Sequence, residues 1–223
     1  MIQHVWELAC RASTLDEVLI ATDHEAILEC VKGFGGTAMM TPSELPSGSD
    51  RIAFVAKEWS ADIVVNLQAD EPLLNPRFID NLVQSLQLNP DCQISTLAVS
   101  RTETQELHNP NCVKVVLDNQ GRALYFSRSP LMNDKEGYFY KHIGIYAYRR
   151  DSLLEFCRLA PSSLEQAERL EQLRALQNGM RIQVCLVDQD TIAVDVPDDV
   201  AKVEDYLKKR DLSRGKMATK EVS

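Results

Sequence analysis

The stretch Ile63-Val64-Val65-Asn66-Leu67-Gln68-Ala69-Asp70-Glu71-Pro72 constrains this chain more than any other. Three β-branched residues in a row favour a buried strand. Pro72 has no N–H to give to a ladder, so the strand ends near Asp70. The Asp70 carboxylate therefore falls at the carboxyl end of a strand, where open α/β sheets bind their ligands. A carboxylate there can hold a hard cation such as Mg²⁺ against a phosphate. A solvated strand-to-loop turn is the other reading of the same residues.

The rest of the chain supplies partners for such a strand. Val18–Asp23 and Thr37–Met40 read as strands on either side of a helix over Glu25–Lys32, which Thr22 or Asp23 can cap. A helix opens the chain, with Val5, Leu8 and Ala9 on one face, and runs to about Ala12. Pro76–Gln87 carries Ile79, Leu82 and Leu86 on one face, and a strand follows at Ile94–Val99. Asp118-Asn119-Gln120-Gly121 between Val113–Leu117 and Ala123–Ser127 is a tight-turn signal and predicts a hairpin. Residues 129–140 read as a mobile loop, His142–Tyr148 as a strand, and Asp151–Leu159 and Ser163–Asn178 as helices. Ile182–Val187 is the last strand, and a final helix begins after Val194 and runs to about Lys209. Strands alternating with helices, with one hairpin, predict a single α/β domain over residues 1–212. Its sheet is mixed but mostly parallel, Rossmann-like and flanked by helices. Residues 213–223 read as a disordered polar tail.

A chain of 223 residues is long enough for one such domain. Its net charge of −9 argues against non-specific binding to nucleic acid or to an anionic membrane. A local cluster of bases on an acidic protein can still hold a nucleotide. The six cysteines form no C-x-x-C pair and read as reduced thiols of a cytoplasmic protein, which also argues against a zinc site. No apolar run is long enough to span a membrane, and the first residues lack the basic-then-apolar pattern of a secretory signal.

Several polar residues stand at ligand-competent places. Pro46-Ser47-Gly48-Ser49-Asp50-Arg51 leads into a helix through about Trp59, and N–H groups at such a start favour an anionic or polar group. Arg51 lies in the first turn, where the helix dipole does not favour a cation, so something else needs it there. Asp70 and Asp195 both follow short apolar segments, and two such carboxylates can share a Mg²⁺ that also touches phosphate oxygens. His142 shares a strand face with Gly144 and Tyr146, and Glu168 shares a helix face with Gln172, with Glu171 about one turn away. A structural histidine and a solvated acidic face are the plainer readings of these last two.

Taken in order, seven blocks closely resemble one family. They are Pro-Ser-Gly-Ser-Asp-Arg (46–51), Val-Asn-Leu-Gln-Ala-Asp-Glu-Pro (65–72), Asn-Pro-Asn-Cys-Val-Lys-Val-Val (109–116), Ala-Leu-Tyr-Phe-Ser-Arg-Ser (123–129), Lys-His-Ile-Gly-Ile-Tyr-Ala-Tyr-Arg (141–149), Leu-Glu-Gln-Leu-Arg (170–174) and Val-Asp-Val-Pro-Asp-Asp (194–199). The family is 3-deoxy-manno-octulosonate cytidylyltransferase, the CMP-Kdo synthetases. The resemblance implies transfer of CMP from CTP to the 2-hydroxyl of Kdo, an eight-carbon acid sugar, with release of pyrophosphate, for lipopolysaccharide biosynthesis. It implies Mg²⁺ on Asp70 and Asp195, and Ser47 and Arg51 beside the cytosine and ribose. It places Gln68, Arg128, His142, Tyr146, Glu171 and Gln172 around Kdo. It also implies a homodimer. Arg128 suits the Kdo carboxylate through a two-pronged guanidinium contact.

Two departures accompany the resemblance. The family carries a strand and a basic Pro-Ala-Arg-x-x-Ser-x-Arg-x-Pro-Gly-Lys loop ahead of the segment that begins here at Met1-Ile2-Gln3-His4-Val5. The expectation is therefore either a start placed too late or a truncated chain without turnover. After Arg128 the family carries Ile-Pro and a further basic residue, whereas this chain reads Ser129-Pro130-Leu131-Met132-Asn133-Asp134. Two alternatives stand beside the leading one: a cytidylyltransferase for another acid sugar, and an inactive homologue that serves as a binding or dimerisation partner.

Overall fold

The computed structural model describes residues 1–131, 137–191, 194, 200, 201 and 203. The chain enters through helix α1 (Ile2–Ala9), which buries Val5, Leu8 and Ala9. A β-α-β unit follows. Strand β1 (Leu19–Thr22) and strand β2 (Thr37–Met40) pair in parallel, joined by helix α2 (Glu25–Gly33). The cap of α2 is not Thr22 or Asp23 but His24, whose Nδ1 accepts from the Ala26 N–H. Thr22 is still strand, and its hydroxyl instead accepts from the His24 N–H.

Helix α3 (Gly48–Ala56) starts at Ser47, whose hydroxyl oxygen accepts from the Asp50 N–H. Strand β3 (Ile63–Asn66) ends before Pro72, but at Asn66 rather than near Asp70, so Asp70 lies in the loop beyond the strand and not at its last residue. Helix α4 (Pro76–Leu88) has Asn75 as its cap and Pro76 in its first turn, where a missing N–H does no harm. Strand β4 (Ile94–Arg101) is followed by a short helix α5 (Thr104–His108) inside a segment that reads only as polar. Strands β5 (Lys114–Leu117) and β6 (Ala123–Ser127) form the predicted hairpin. The Asp118 carboxylate closes its turn by accepting the N–H groups of Gln120 and Arg122, and Gly121 takes a φ of 76°.

Strand β7 (Phe139–Arg149) is longer than the pattern predicts and begins inside the expected loop. It leads into helix α6 (Arg150–Phe156). The single helix predicted over Ser163–Asn178 is two, α7 (Ser163–Glu168) and α8 (Gln172–Gln177), separated at Arg169 by a left-handed φ of 55°. Strand β8 (Ile182–Val187) completes the described elements.

Strand β7 is the spine of a six-stranded mixed sheet. One edge pairs with β4; the other pairs with β5 near Lys141 and with β3 from Tyr146 onward. Strand β8 lies parallel outside β4. Strands β3, β4, β5 and β8 all point the same way, while β6 and β7 oppose them. Because the reversed β7 sits in the middle, most neighbouring pairs are antiparallel although most strands share a direction. Alternation along β7 serves two cores. Ile143, Ile145 and Ala147 pack with Phe78, Ile79 and Leu82 of α4 on one face. Tyr146 and Tyr148 look to the other, toward Ala53 of α3, Phe156 of α6 and Leu173 of α8. The bulge opposite Thr96 and Leu97 is filled by the Thr96 hydroxyl, which lies 3.3 Å from the Ile143 carbonyl and 2.9 Å from that of Ile145.

The β1–β2 pair is not hydrogen-bonded to the larger sheet among the described residues. Between β1 and β3 lies a cavity of about 670 Å³, lined by Leu19 and Ala21 on one side, Val64 and Asn66 on the other, and Val5 and Val55 from the helices.

Candidate active site

The polar residues gather where α3, β3, β6, β7 and the α7–α8 junction meet. At the start of α3 the Ser47 hydroxyl, besides capping the helix, faces two carboxylates, Asp50 at 2.6 Å and Glu171 at 3.0 Å. Ser49 donates to the other Glu171 oxygen at 2.8 Å. Buried Asn66, the last residue of β3, reaches Ser49 at 3.5 Å and receives the Gln68 side-chain amide at 3.4 Å. Gln68 also lies close over Gly48, where an added Cβ would meet its Nε2 at 3.2 Å. Asn66 stands opposite Tyr146 in the ladder. Ser47, which the resemblance puts beside the nucleoside, and Gln68, Tyr146 and Glu171, which it puts around Kdo, thus lie on one polar surface.

His142 and Tyr146 continue this surface along β7. Their rings lie 5.5 Å apart, and Phe126 meets His142 edge-on at 4.9 Å. Burial pushes the His142 imidazole down to about 3, so it is neutral. Its Nε2 lies 2.9 Å from the Thr96 hydroxyl. That hydroxyl has one proton, which goes to a carbonyl in the bulge, so Nε2 carries the ring hydrogen and Nδ1 is an acceptor. Burial likewise raises the Tyr146 phenol, with the Glu171 charge adding to it. The strand therefore presents neutral donors and acceptors, which suit the hydroxyls of a polyol.

A second group forms at the end of β6. Arg128 gives one N–H each to the carbonyls of Glu168 (3.2 Å), Pro110 (3.0 Å) and Arg169 (3.4 Å). A guanidinium has five donors, so with respect to the described residues one remains on each terminal nitrogen, enough for a two-point contact to a carboxylate. Gln172 begins α8 and is buried. Arg51 departs from this cluster. It pairs with Asp23 at 2.8 Å and also donates to the hydroxyl of Thr41 and the carbonyl of Pro42, tying α3 to the ends of β1 and β2.

Asp70 is half-buried beyond β3, and the Val194 N–H donates to its backbone carbonyl at 2.8 Å. Asp195 lies outside the described residues. The described donor set for a metal is thus the single Asp70 carboxylate, and no group of three potential ligands occurs among the described residues. One hard carboxylate fits Mg²⁺, which keeps several waters and takes one or two carboxylates together with phosphate oxygens.

Sequence reasoning did not single out Asn66, Ser49, Ser127, Thr96 or Lys114, and read Glu168 as part of a charged face. The signal available was a polar residue closing an apolar strand, Asn66 on β3 and Ser127 on β6, both buried here.

A mixed α/β sheet with polar side chains gathered at its strand ends and at facing helix starts is an arrangement this chain shares with nucleotidyltransferases. The chain belongs to the cytidylyltransferase family, whose pattern it matches over residues 1–182. It is 46% identical to the 3-deoxy-manno-octulosonate cytidylyltransferase of Geobacter sulfurreducens, over 93% of this chain and 89% of that one. It is 47% identical to the protein of that name from Pelobacter propionicus, over 93% and 87%. The solved structure of a CMP:2-keto-3-deoxy-manno-octonic acid synthetase complexed with CTP superimposes with a TM-score of 0.89 at 40% identity, over 94% of this chain and 88% of that one. A 4-diphosphocytidyl-2C-methyl-D-erythritol synthase from Anaerococcus prevotii, 12% identical with a TM-score of 0.61, shares the fold.

Proposed function

We propose that this chain transfers CMP from CTP to the 2-hydroxyl of Kdo, giving CMP-Kdo and pyrophosphate. The relatives' shared activity at 46% and 47% identity across nearly the whole chain carries the reading. The site supports it chemically. The hydroxyl oxygen attacks the α-phosphorus, the bond to the β-phosphate breaks, pyrophosphate leaves with its electrons, and the hydroxyl proton is released to water. Such in-line transfer needs positioning and charge neutralisation more than covalent help from the protein. Gln68, His142 and Tyr146 supply neutral hydrogen-bonding groups for sugar hydroxyls, Arg128 two free donors for the acid, and Glu171 and Gln172 the helix-start side of the same surface. Ser47 and Arg51 stand at the start of α3 on the nucleoside side.

Mg²⁺ belongs to the same reading, with Asp70 and Asp195 as its protein ligands. Bound there it would neutralise phosphate charge and lower the pKa of the attacking hydroxyl. A homodimer in the cytoplasm is also part of it. Six cysteines without a disulfide among them and no helix, among the described residues, long and apolar enough to cross a membrane agree with that compartment. The dimer is checked by light scattering on the purified chain.

The deciding experiment measures pyrophosphate release from CTP, Kdo and Mg²⁺ by this chain and by a version extended upstream in its gene. Release that needs Kdo and stops with a chelator supports the reading. Release with another acid sugar but not Kdo moves the substrate, and no release from either version overturns it.

A further inference from the structure

Glu168 and Arg128 hold one another reciprocally across 40 residues of chain. The Glu168 carboxylate accepts the Arg128 backbone N–H at 3.0 Å, while the Arg128 Nε donates to the Glu168 backbone carbonyl at 3.2 Å. The same carboxylate takes the Ser127 hydroxyl at 3.0 and 3.1 Å to its two oxygens, and Tyr125 reaches it at 3.5 Å. Ser127 in turn accepts the Ser129 N–H, so the turn after β6 is held on both sides of Arg128. The Arg128 carbonyl is held from behind. Lys114 is fully buried, and its three ammonium hydrogens go to the carbonyls of Asn109 (3.1 Å), Cys112 (2.7 Å) and Arg128. Every backbone polar group of Arg128 is therefore engaged, and its side chain is pulled into one direction by three carbonyls.

This is a costly arrangement for mere packing. A buried ammonium whose three hydrogens all go to backbone carbonyls, with the Glu168 charge only nearby, costs more desolvation than an apolar residue of the same shape. Burial accordingly lowers the Lys114 ammonium from its ordinary value. The result is an arginine whose two remaining donors are fixed in space before any ligand arrives, and such preorganisation reduces the ordering cost of binding.

We propose that Glu168, backed by Lys114, is a positioning residue for the acid group of the sugar substrate, acting through Arg128. The proposal rests on the function given above. The test is calorimetric titration of the full chain with Kdo and, separately, with CTP. Glu168→Gln keeps the size of the side chain but removes the charge that holds the turn. Expected is a loss of about tenfold or more in Kdo affinity with CTP affinity changed by less than about twofold. Ser127→Ala, which leaves the fold less disturbed, shifts Kdo binding the same way by a smaller factor. In the double variant Glu168→Gln with Arg128→Ala, the losses do not add, because the first acts only through the second. Equal losses for both ligands, or additive losses in the double variant, would overturn the proposal. Binding of CTP but no binding of Kdo by the unaltered chain would overturn the functional reading instead, and the proposal with it.

Discussion

Ser47 and Glu171, 124 residues apart, meet at 3.0 Å and join the start of α3 to the break between α7 and α8. The contact links the side of the site assigned to the nucleoside with the side assigned to the acid sugar. Ser49 strengthens it from the same first turn of α3, and Arg174 stands 3.6 Å from the same carboxylate. Glu171→Ala removes the bridge: Ser49 loses its carboxylate acceptor, and Ser47 keeps only Asp50. Expected is a rise of about tenfold in KM for both CTP and Kdo, against the one-sided effect predicted for Glu168. Steady-state kinetics with each substrate varied in turn separates the two patterns.

The break that delivers Glu171 is spanned by an ion pair. Arg174 donates to both oxygens of Glu165, at 2.8 and 2.6 Å, with side-chain exposures of only 10% and 14%. The guanidinium also stacks over Phe156 at 4.9 Å, and Glu165 closes the capping box with Ser162. Glu165→Gln leaves the buried Arg174 with only the longer Glu171 contact at 3.6 Å and is expected to destabilise the protein by about 1–2 kcal/mol. The hydrogen bond from Arg174 holds the Glu165 carboxyl below its ordinary value. That contribution is present above the unfolded carboxyl's pKa and is lost as pH falls through the folded one. Denaturant titrations of the two proteins should therefore differ most near neutrality and converge in acid.

The order and type of most elements are legible in the sequence because their apolar spacing is strong: Ile79, Leu82 and Leu86 on α4, or the β-branched run of β3. Local pattern does not report strand direction. β7 is reversed and central because long-range pairing places it between β4 and β3, and no residue of Lys141–Arg149 announces that. The break at Arg169 was equally hidden, since a non-glycine residue with positive φ is set by its surroundings, here the Arg128 guanidinium on its carbonyl. Ser47, Gln68, Tyr146 and Glu171 were found through family resemblance and do converge. Asn66 and Glu168 were missed because a polar residue ending a strand and an acid on a helix usually meet water.

Thiol chemistry gives an independent check of the packing. Cys30 is exposed, whereas Cys92 and Cys112 are buried. Burial raises the Cys112 and Cys185 thiols and pushes Cys157 up to about 12, so none of these forms the reactive thiolate near neutrality. Cys10 is at the surface, but partial burial and the neighbouring Glu7 charge raise it too. Mass spectrometry after brief alkylation at pH 8 should find Cys30 modified first, Cys10 more slowly, and Cys112 and Cys157 only after unfolding. Early labelling of Cys157 would mean that α6 does not pack as described.

His142 makes the sharpest pH prediction. Its folded value, about 3, lies below the ordinary 6.5 because burial against Phe126 and Tyr146 disfavours the charged ring. The unfolded chain therefore binds a proton that the folded chain refuses whenever pH is below about 6.5. Stability is then unaffected above that pH and falls by about 1.4 kcal/mol for each unit below it, until the folded value is reached. His142→Gln keeps a donor for Thr96 and has no proton to take up, so the slope between pH 6 and 4 should shrink by about one proton. Nitrogen NMR of the folded protein should show the Nε2–H tautomer unchanged from pH 8 to 5. A ring that titrates near 6.5 would mean that this face of β7 is open to water, and that a charged imidazole rather than a neutral one meets the sugar.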